Sequence, residues 1–252
     1  MTLINKNKIF VDGIIIPIII FVLITYFISL ICKKIDDNFN PILVQGIANT
    51  IILCMLIPFY IFFNNKNNIC ESKINHKIII YAVALGLSLC YICNTIIGII
   101  PDSKTNIVTE NVYKLSEELN VYITLFIIII VVPITEELLF RGFFYNTIKT
   151  ISNHIFAIII SSIAFAVAHS DFKQILYAFI AGLFLAYIKY KCNNVIYTII
   201  MHCIMNLTSF FFIPNIMLSK RIDIFTLFIM FIIMILSLYR IYLFSISKNN
   251  NN

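Results

Sequence analysis

Charge is scarce in this chain: Asp, Glu, Lys and Arg make up only 12% of its 252 residues. A soluble domain carries about twice that fraction, and no stretch here is polar enough, or long enough, to form one. The basic residues leave a net charge of +6, yet they stand in ones and twos between apolar runs. Nucleic acid needs a basic face, so it is excluded as a partner. Loop lysines that orient membrane spans and meet anionic headgroups account for the excess. The seven cysteines are an odd number, and most lie inside apolar runs. No second C-x-x-C complements Cys90 and Cys93, so neither a disulfide framework nor a metal knuckle is implied, and both read as small apolar residues. Nor does a small-residue cleavage site follow the apolar run that begins near Ile14, behind Lys6 and Lys8. That run is expected to be a first, uncleaved span.

Hydrophobic residues fill the remainder, at 61% of the chain. Apolar runs of eighteen or more residues mark membrane spans. Breaking the sequence at its charges gives about eight, near 14–31, 41–63, 78–100, 121–148, 154–169, 175–190, 195–213 and 224–243. Backbone groups in lipid must be bonded within their own segment, so the spans are helices. The expected fold is all-α: a polytopic helix bundle of the cell membrane, one membrane domain over 1–252, with lipid as its first partner. The distribution of Lys and Arg favours both termini on the cytoplasmic side. Connections are short except for 101–120, where Val108, Val112, Leu115 and Leu119 share one helix face. This predicts a short helix at the interface or against the bundle's end. In the sixth span Ala178, Gly182 and Ala186 recur at steps of four, a face that lets a neighbouring backbone approach. The asparagines at 249–252 form a low-complexity tail.

A few residues interrupt the Ile, Phe and Leu of the spans. Glu136, Glu137 and Arg141 lie in ITEELLFRGFF, Phe165 and His169 in FAVAH, and His202 and Asn206 in HCIMN. A charge at mid-bilayer costs at least about 2.5–3.5 kcal/mol, so three together need a partner or a water-filled cavity. Glu137 and Arg141 are four apart in the favourable acid-first order and can pair. Glu136 is five from Arg141, about 140° around an α-helix, and is predicted to serve something else. Pro133 is expected to kink this helix beside the acids. Depth is compatible with a cluster. At a rise of about 1.5 Å per residue from the turns at 150–153 and 194, Glu136 lies roughly 21 Å in, His169 roughly 24 Å, His202 roughly 12 Å and Asn206 roughly 18 Å.

In order, spacing and placement on separate helices, E-E-x-x-x-R, F-x-x-x-H and H-x-x-x-N resemble the three signature motifs of the CPBP family, which holds type II CAAX prenyl endopeptidases and bacterial Abi proteins linked to bacteriocin immunity. The resemblance covers about 122–212. It implies an intramembrane endopeptidase acting on a peptide or membrane-protein substrate. Glu136 would activate water with help from His169, His202 and Asn206 would stabilise the oxyanion, and Glu137, Arg141 and Phe165 would support them. It favours a glutamic peptidase without a cofactor. A zinc site of Glu136, His169 and His202 remains the alternative, although the H-E-x-x-H pattern is missing. Two other functions stay open at this stage. One is an immunity or sensing protein that binds a peptide without cutting it, and the other is a small proton-coupled transporter using the same acid and histidines. Internal repeats, common in transporters, are lacking.

Overall fold

The structure is a computed structural model that describes residues 3–36, 39–98, 121–169, 171–219 and 224–249; the expected helix within 101–120 lies outside them. All regular elements among the described residues are helical. In chain order they are α1 (Leu3–Phe10), α2 (Ile16–Ile35), α3 (Pro41–Lys66), α4 (His76–Gly98), α5 (Val121–Phe126), α6 (Val132–Glu137), α7 (Tyr145–Ile151), α8 (His154–Val167), α9 (Phe172–Cys192), α10 (Val195–Ser219) and α11 (Ile224–Asn249). π-helical turns at Val11–Ile15, Ile127–Val131 and Leu138–Phe144 join α1 to α2 and thread α5, α6 and α7 into one rod.

Six of the resulting helices are long and apolar enough to cross a membrane: 5–35, 41–66, 76–97, 121–151, 172–192 and 224–247. They correspond to six of the eight spans read from the sequence, and the chain is a multi-pass integral membrane protein. The other two fall on shorter apolar stretches, His154–Val167 and, within α10, Val195–Phe210. With 14 residues, α8 is about 21 Å long, short of the roughly 30 Å of a hydrocarbon core.

Local chemistry sets the ends. Asn40 accepts from Ile42 N at 2.9 Å and Pro41 takes the first helical position, so α3 starts where its orphan donors are met. Asp171 caps α9 in the same way through Gln174 N at 3.0 Å. At the other end of α9, Asn193 closes the helix at φ 48°, in the left-handed region that asparagine tolerates.

The chain divides into two compact units, 1–70 with 102–153 and 71–101 with 154–252. In the first, α3 packs on the α5–α7 rod. Phe143 sits among Phe59, Tyr60 and Phe63 at centroid distances of 5.4, 5.4 and 5.5 Å. Gly13 lies so close to Thr147 and Phe63 that a Cβ there would fall 1.8 Å from the threonine hydroxyl, so only glycine fits. Asp12 and Lys66 form an ion pair at this unit's edge.

In the second unit, α4 and α10 run side by side in the same direction. A Cβ on Gly86 of α4 would lie 2.8 Å from the carbonyl oxygen of Met201, so the two backbones nearly touch. The start of this pair is stapled by polar groups. Glu71 pairs with the buried Lys189 and accepts from Val195 N, Asn194 Nδ2 donates to Ser72 O at 2.7 Å, and Tyr197 Oη accepts from Asn75 N at 2.6 Å. The small residues Ala178, Gly182 and Ala186 of α9 are all buried, as their spacing predicts.

Candidate active site

Glu136 and Glu137 end α6, and Arg141 lies in the π-helical turn that follows. Arg141 Nη1 donates to Glu137 Oε1 at 2.9 Å, and both side chains are wholly buried. The ion pair expected from their spacing therefore forms. Glu136 is only half-buried. Its relation to Arg141 differs from the sequence expectation, which assumed a regular α-helix. Bonding from residue i to i+5 widens the turn from Leu138 onward, so a five-residue interval sweeps less than the expected 140°. Arg141 interacts electrostatically with both acids, Glu137 having the larger influence. A wide turn of this kind is frequent at functional sites. Pro133 sits at the start of α6, directly after another π-helical turn, so the expected disturbance of the backbone ladder takes the form of π-helical turns on both sides of the acids.

The second motif sits at a helix end. α8 stops at Val167, and His169 N turns back to Ala166 O at 3.1 Å. The imidazole does the same: its Nδ1 lies 3.0 Å from Phe165 O, one of the carbonyls left over at the end of α8. A carbonyl only accepts, so in the neutral ring Nδ1 carries the hydrogen and Nε2 keeps its lone pair. The four-residue spacing of F-x-x-x-H thus has a local reason, and it leaves Nε2 as the atom able to take a proton.

Phe165 ties the second and third motifs together. Its ring meets His169 edge-on at 5.1 Å and 79°, and meets His202 at 5.5 Å and 88°. Two imidazoles from α10 and the end of α8 therefore share one aromatic wall. His202 is buried and Asn206, one turn further along α10, is half-buried. Within the second unit, then, Phe165, His169 and His202 are brought together, while Glu136, Glu137 and Arg141 stand in the first. Neither unit by itself gathers three His, Cys, Asp or Glu side chains into a metal-holding group among the described residues.

Polar groups that the sequence reading passed over extend this face of α10. Ser209 is seven residues beyond His202 and three beyond Asn206, so all three lie within about 60° of one another around the helix. The Cys90 thiol of α4 contacts Ser209 Oγ at 3.2 Å and Met205 O at 3.4 Å, and Asn94 Nδ2 reaches the thiol at 3.4 Å. Tyr177 of α9 stands against Cys90 and Ser209. Its hydroxyl is buried. The reading of Cys90 as an ordinary apolar residue is corrected here: it is buried, but among polar partners. Of these residues only Ser209 carried a sequence signal, its helical register with His202 and Asn206.

Residues 118–208 match the sequence profile of a family described as Rce1-like, type II CAAX prenyl endopeptidase Rce1-like. A stretch of 83 residues is 36% identical to the UPF0177 protein YxdF of Lactococcus lactis subsp. lactis, over 32% of this chain and 45% of that protein. The match thus spans less than half the length of that relative. No solved structure matches the chain.

Proposed function

We propose that the Rce1-like domain of residues 118–208 makes this chain an intramembrane endopeptidase, cutting a peptide bond of a membrane-associated protein or peptide with a water activated by Glu136. The observation that carries the reading is the division of labour among the motif residues. Arg141 is hydrogen-bonded to the wholly buried Glu137, while Glu136 is a half-buried residue. In the second unit, Phe165 holds two imidazoles edge-on, one of them with Nε2 as its proton acceptor.

In the proposed reaction Glu136, assisted by His169, removes a proton from water as the oxygen attacks the scissile carbonyl carbon. The negative charge moves to the carbonyl oxygen, where donors from His202 and Asn206 stabilise it. The carbon–nitrogen bond then breaks, and the proton held by Glu136 passes to the leaving amine. The scheme requires the Glu136 carboxylate and the imidazoles of His169 and His202 to come within roughly 8 Å of one another, so that one water and one carbonyl lie in hydrogen-bond reach of all.

Comparative peptidomics of membranes holding the wild type or Glu136→Ala tests the function. Products present only with the wild type are expected; identical peptide sets at equal protein levels refute the peptidase reading. Metal content tests the mechanism. The proposed reaction needs no metal, so purified protein should carry well under one equivalent of zinc and chelators should leave cleavage intact. Stoichiometric zinc lost on His169→Ala would replace this scheme with one in which zinc activates the water.

A further inference from the structure

A cavity of about 520 Å³ opens at the start of α4, within the second unit, and none of the residues assigned to the chemistry lines it. Lys73, His76 and Lys77 do, all three of them exposed, while Ile74 and Phe244 of α11 give it an apolar wall. No acid lines it. The neighbouring Glu71 is taken up by Lys189 and the Val195 amide. Among the described residues, none of Lys73, His76 and Lys77 forms an ion pair with an acid. Two ammonium groups that line one cavity repel each other, and an anion placed between them reverses the sign of the interaction.

The frame that carries these groups is fixed. Ser72 N donates to Asn193 O at 3.0 Å and Asn75 N to Tyr197 Oη at 2.6 Å, so the segment before α4 is tied to the start of α10. Asn75 also occupies amides at the start of α4: its Oδ1 accepts from Lys77 N and its backbone O from Ile78 N, each at 3.0 Å. With those donors used, the positive character of the cavity comes from its side chains. Its level in the membrane follows from the spans. α4 crosses over 76–97 and α11 over 224–247, so His76 and Phe244 both stand near span ends. At the same end of the unit the Lys191 ammonium lies 4.7 Å from the ring centre of Tyr190 and 5.0 Å from that of Tyr242. Tyrosines gathered with lysines in this way mark the headgroup level. On the orientation that Lys and Arg favour, two spans after a cytoplasmic N-terminus, this end of α4 faces the leaflet that carries anionic lipid.

We propose that this cavity holds the phosphate of an anionic phospholipid, with Lys73 and Lys77 on the phosphate, His76 beside them and an acyl chain running along Phe244. Lysine binds phosphate as a point charge, and its long stem covers apolar surface while the ammonium stays at the headgroup. The site does not depend on the peptidase reading. A lipid seated there joins α4 to α11 at the end where the polar staple already holds α4 to α10, and it stabilises the folded unit by mass action.

Titration of the full chain in a nonionic detergent tests it, with dioctanoyl phosphatidylglycerol, dioctanoyl phosphatidylcholine and inorganic phosphate as probes and occupancy read by native mass spectrometry. Phosphatidylglycerol should bind most tightly and raise the unfolding midpoint. Lys73→Gln/Lys77→Gln should weaken its binding about twenty-five-fold, since each lysine at a headgroup contributes about fivefold. Lys33→Gln/Lys34→Gln removes the same charge from two exposed lysines at the end of α2 and should leave the affinity almost unchanged. All four lysines are exposed, so without lipid both double variants should unfold at the wild-type midpoint. Equal losses in the two double variants would reduce the effect to general attraction and overturn the site. Phosphatidylcholine bound as tightly as phosphatidylglycerol would overturn the recognition of an anion. Inorganic phosphate bound as tightly as phosphatidylglycerol, with the same dependence on Lys73 and Lys77, would make the ligand a soluble phosphate and overturn the lipid.

Discussion

Glu137→Gln should destabilise the protein by about 3–5 kcal/mol, because it takes from the buried Arg141 guanidinium the carboxylate that it is hydrogen-bonded to. Both side chains have no exposure at all and are joined at 2.9 Å, so water cannot take the carboxylate's place. The loss should appear as reduced accumulation in membranes and a lower unfolding midpoint in detergent. Arg141→Met should cost a similar amount, since it strands the acid instead. The double variant Glu137→Gln/Arg141→Met should recover most of the loss, because replacing a whole buried pair by neutral groups is commonly close to neutral. A Glu137→Gln protein that accumulates normally yet cuts nothing would mean that Glu137, and not Glu136, is the base.

Helix count and helix ends were legible because lipid leaves few alternatives. A span near 41–63 was expected and the helix runs Pro41–Lys66, its start marked by Asn40 and Pro41, the residues that an N-terminus favours. The pairing of Glu137 with Arg141 was legible for the same reason: two charges four apart in apolar surroundings have little else to choose. The π-helical turns were not, because propensity does not separate i→i+4 from i→i+5 bonding. That is why the angle assigned to Glu136 differs. Phe165 showed as part of a motif, but its contact with His202 joins residues on different helices and carries no periodic signal. The Cys90–Ser209 contact spans 119 positions and was invisible for the same reason. The cysteine looked apolar because nothing in its own helix said otherwise.

Glu136→Gln should lower kcat by at least about a hundredfold, and up to ten thousandfold, the range contributed by a positioned general base. The substitution keeps size and hydrogen-bonding capacity but cannot accept the proton from water. Glu136 is half-buried and the buried Arg141 retains Glu137, so accumulation and unfolding midpoint should stay near wild type. His169→Ala should fall within the same range, since it removes the Nε2 acceptor held in place through Phe165 O. The decisive quantity is the double variant. If the two groups act on one water, the second loss has almost nothing left to remove, and Glu136→Gln/His169→Ala should be scarcely slower than the worse single variant. Losses that multiply would mean separate roles in separate steps. Full activity in Glu136→Gln would end the proposal that this carboxylate is the base.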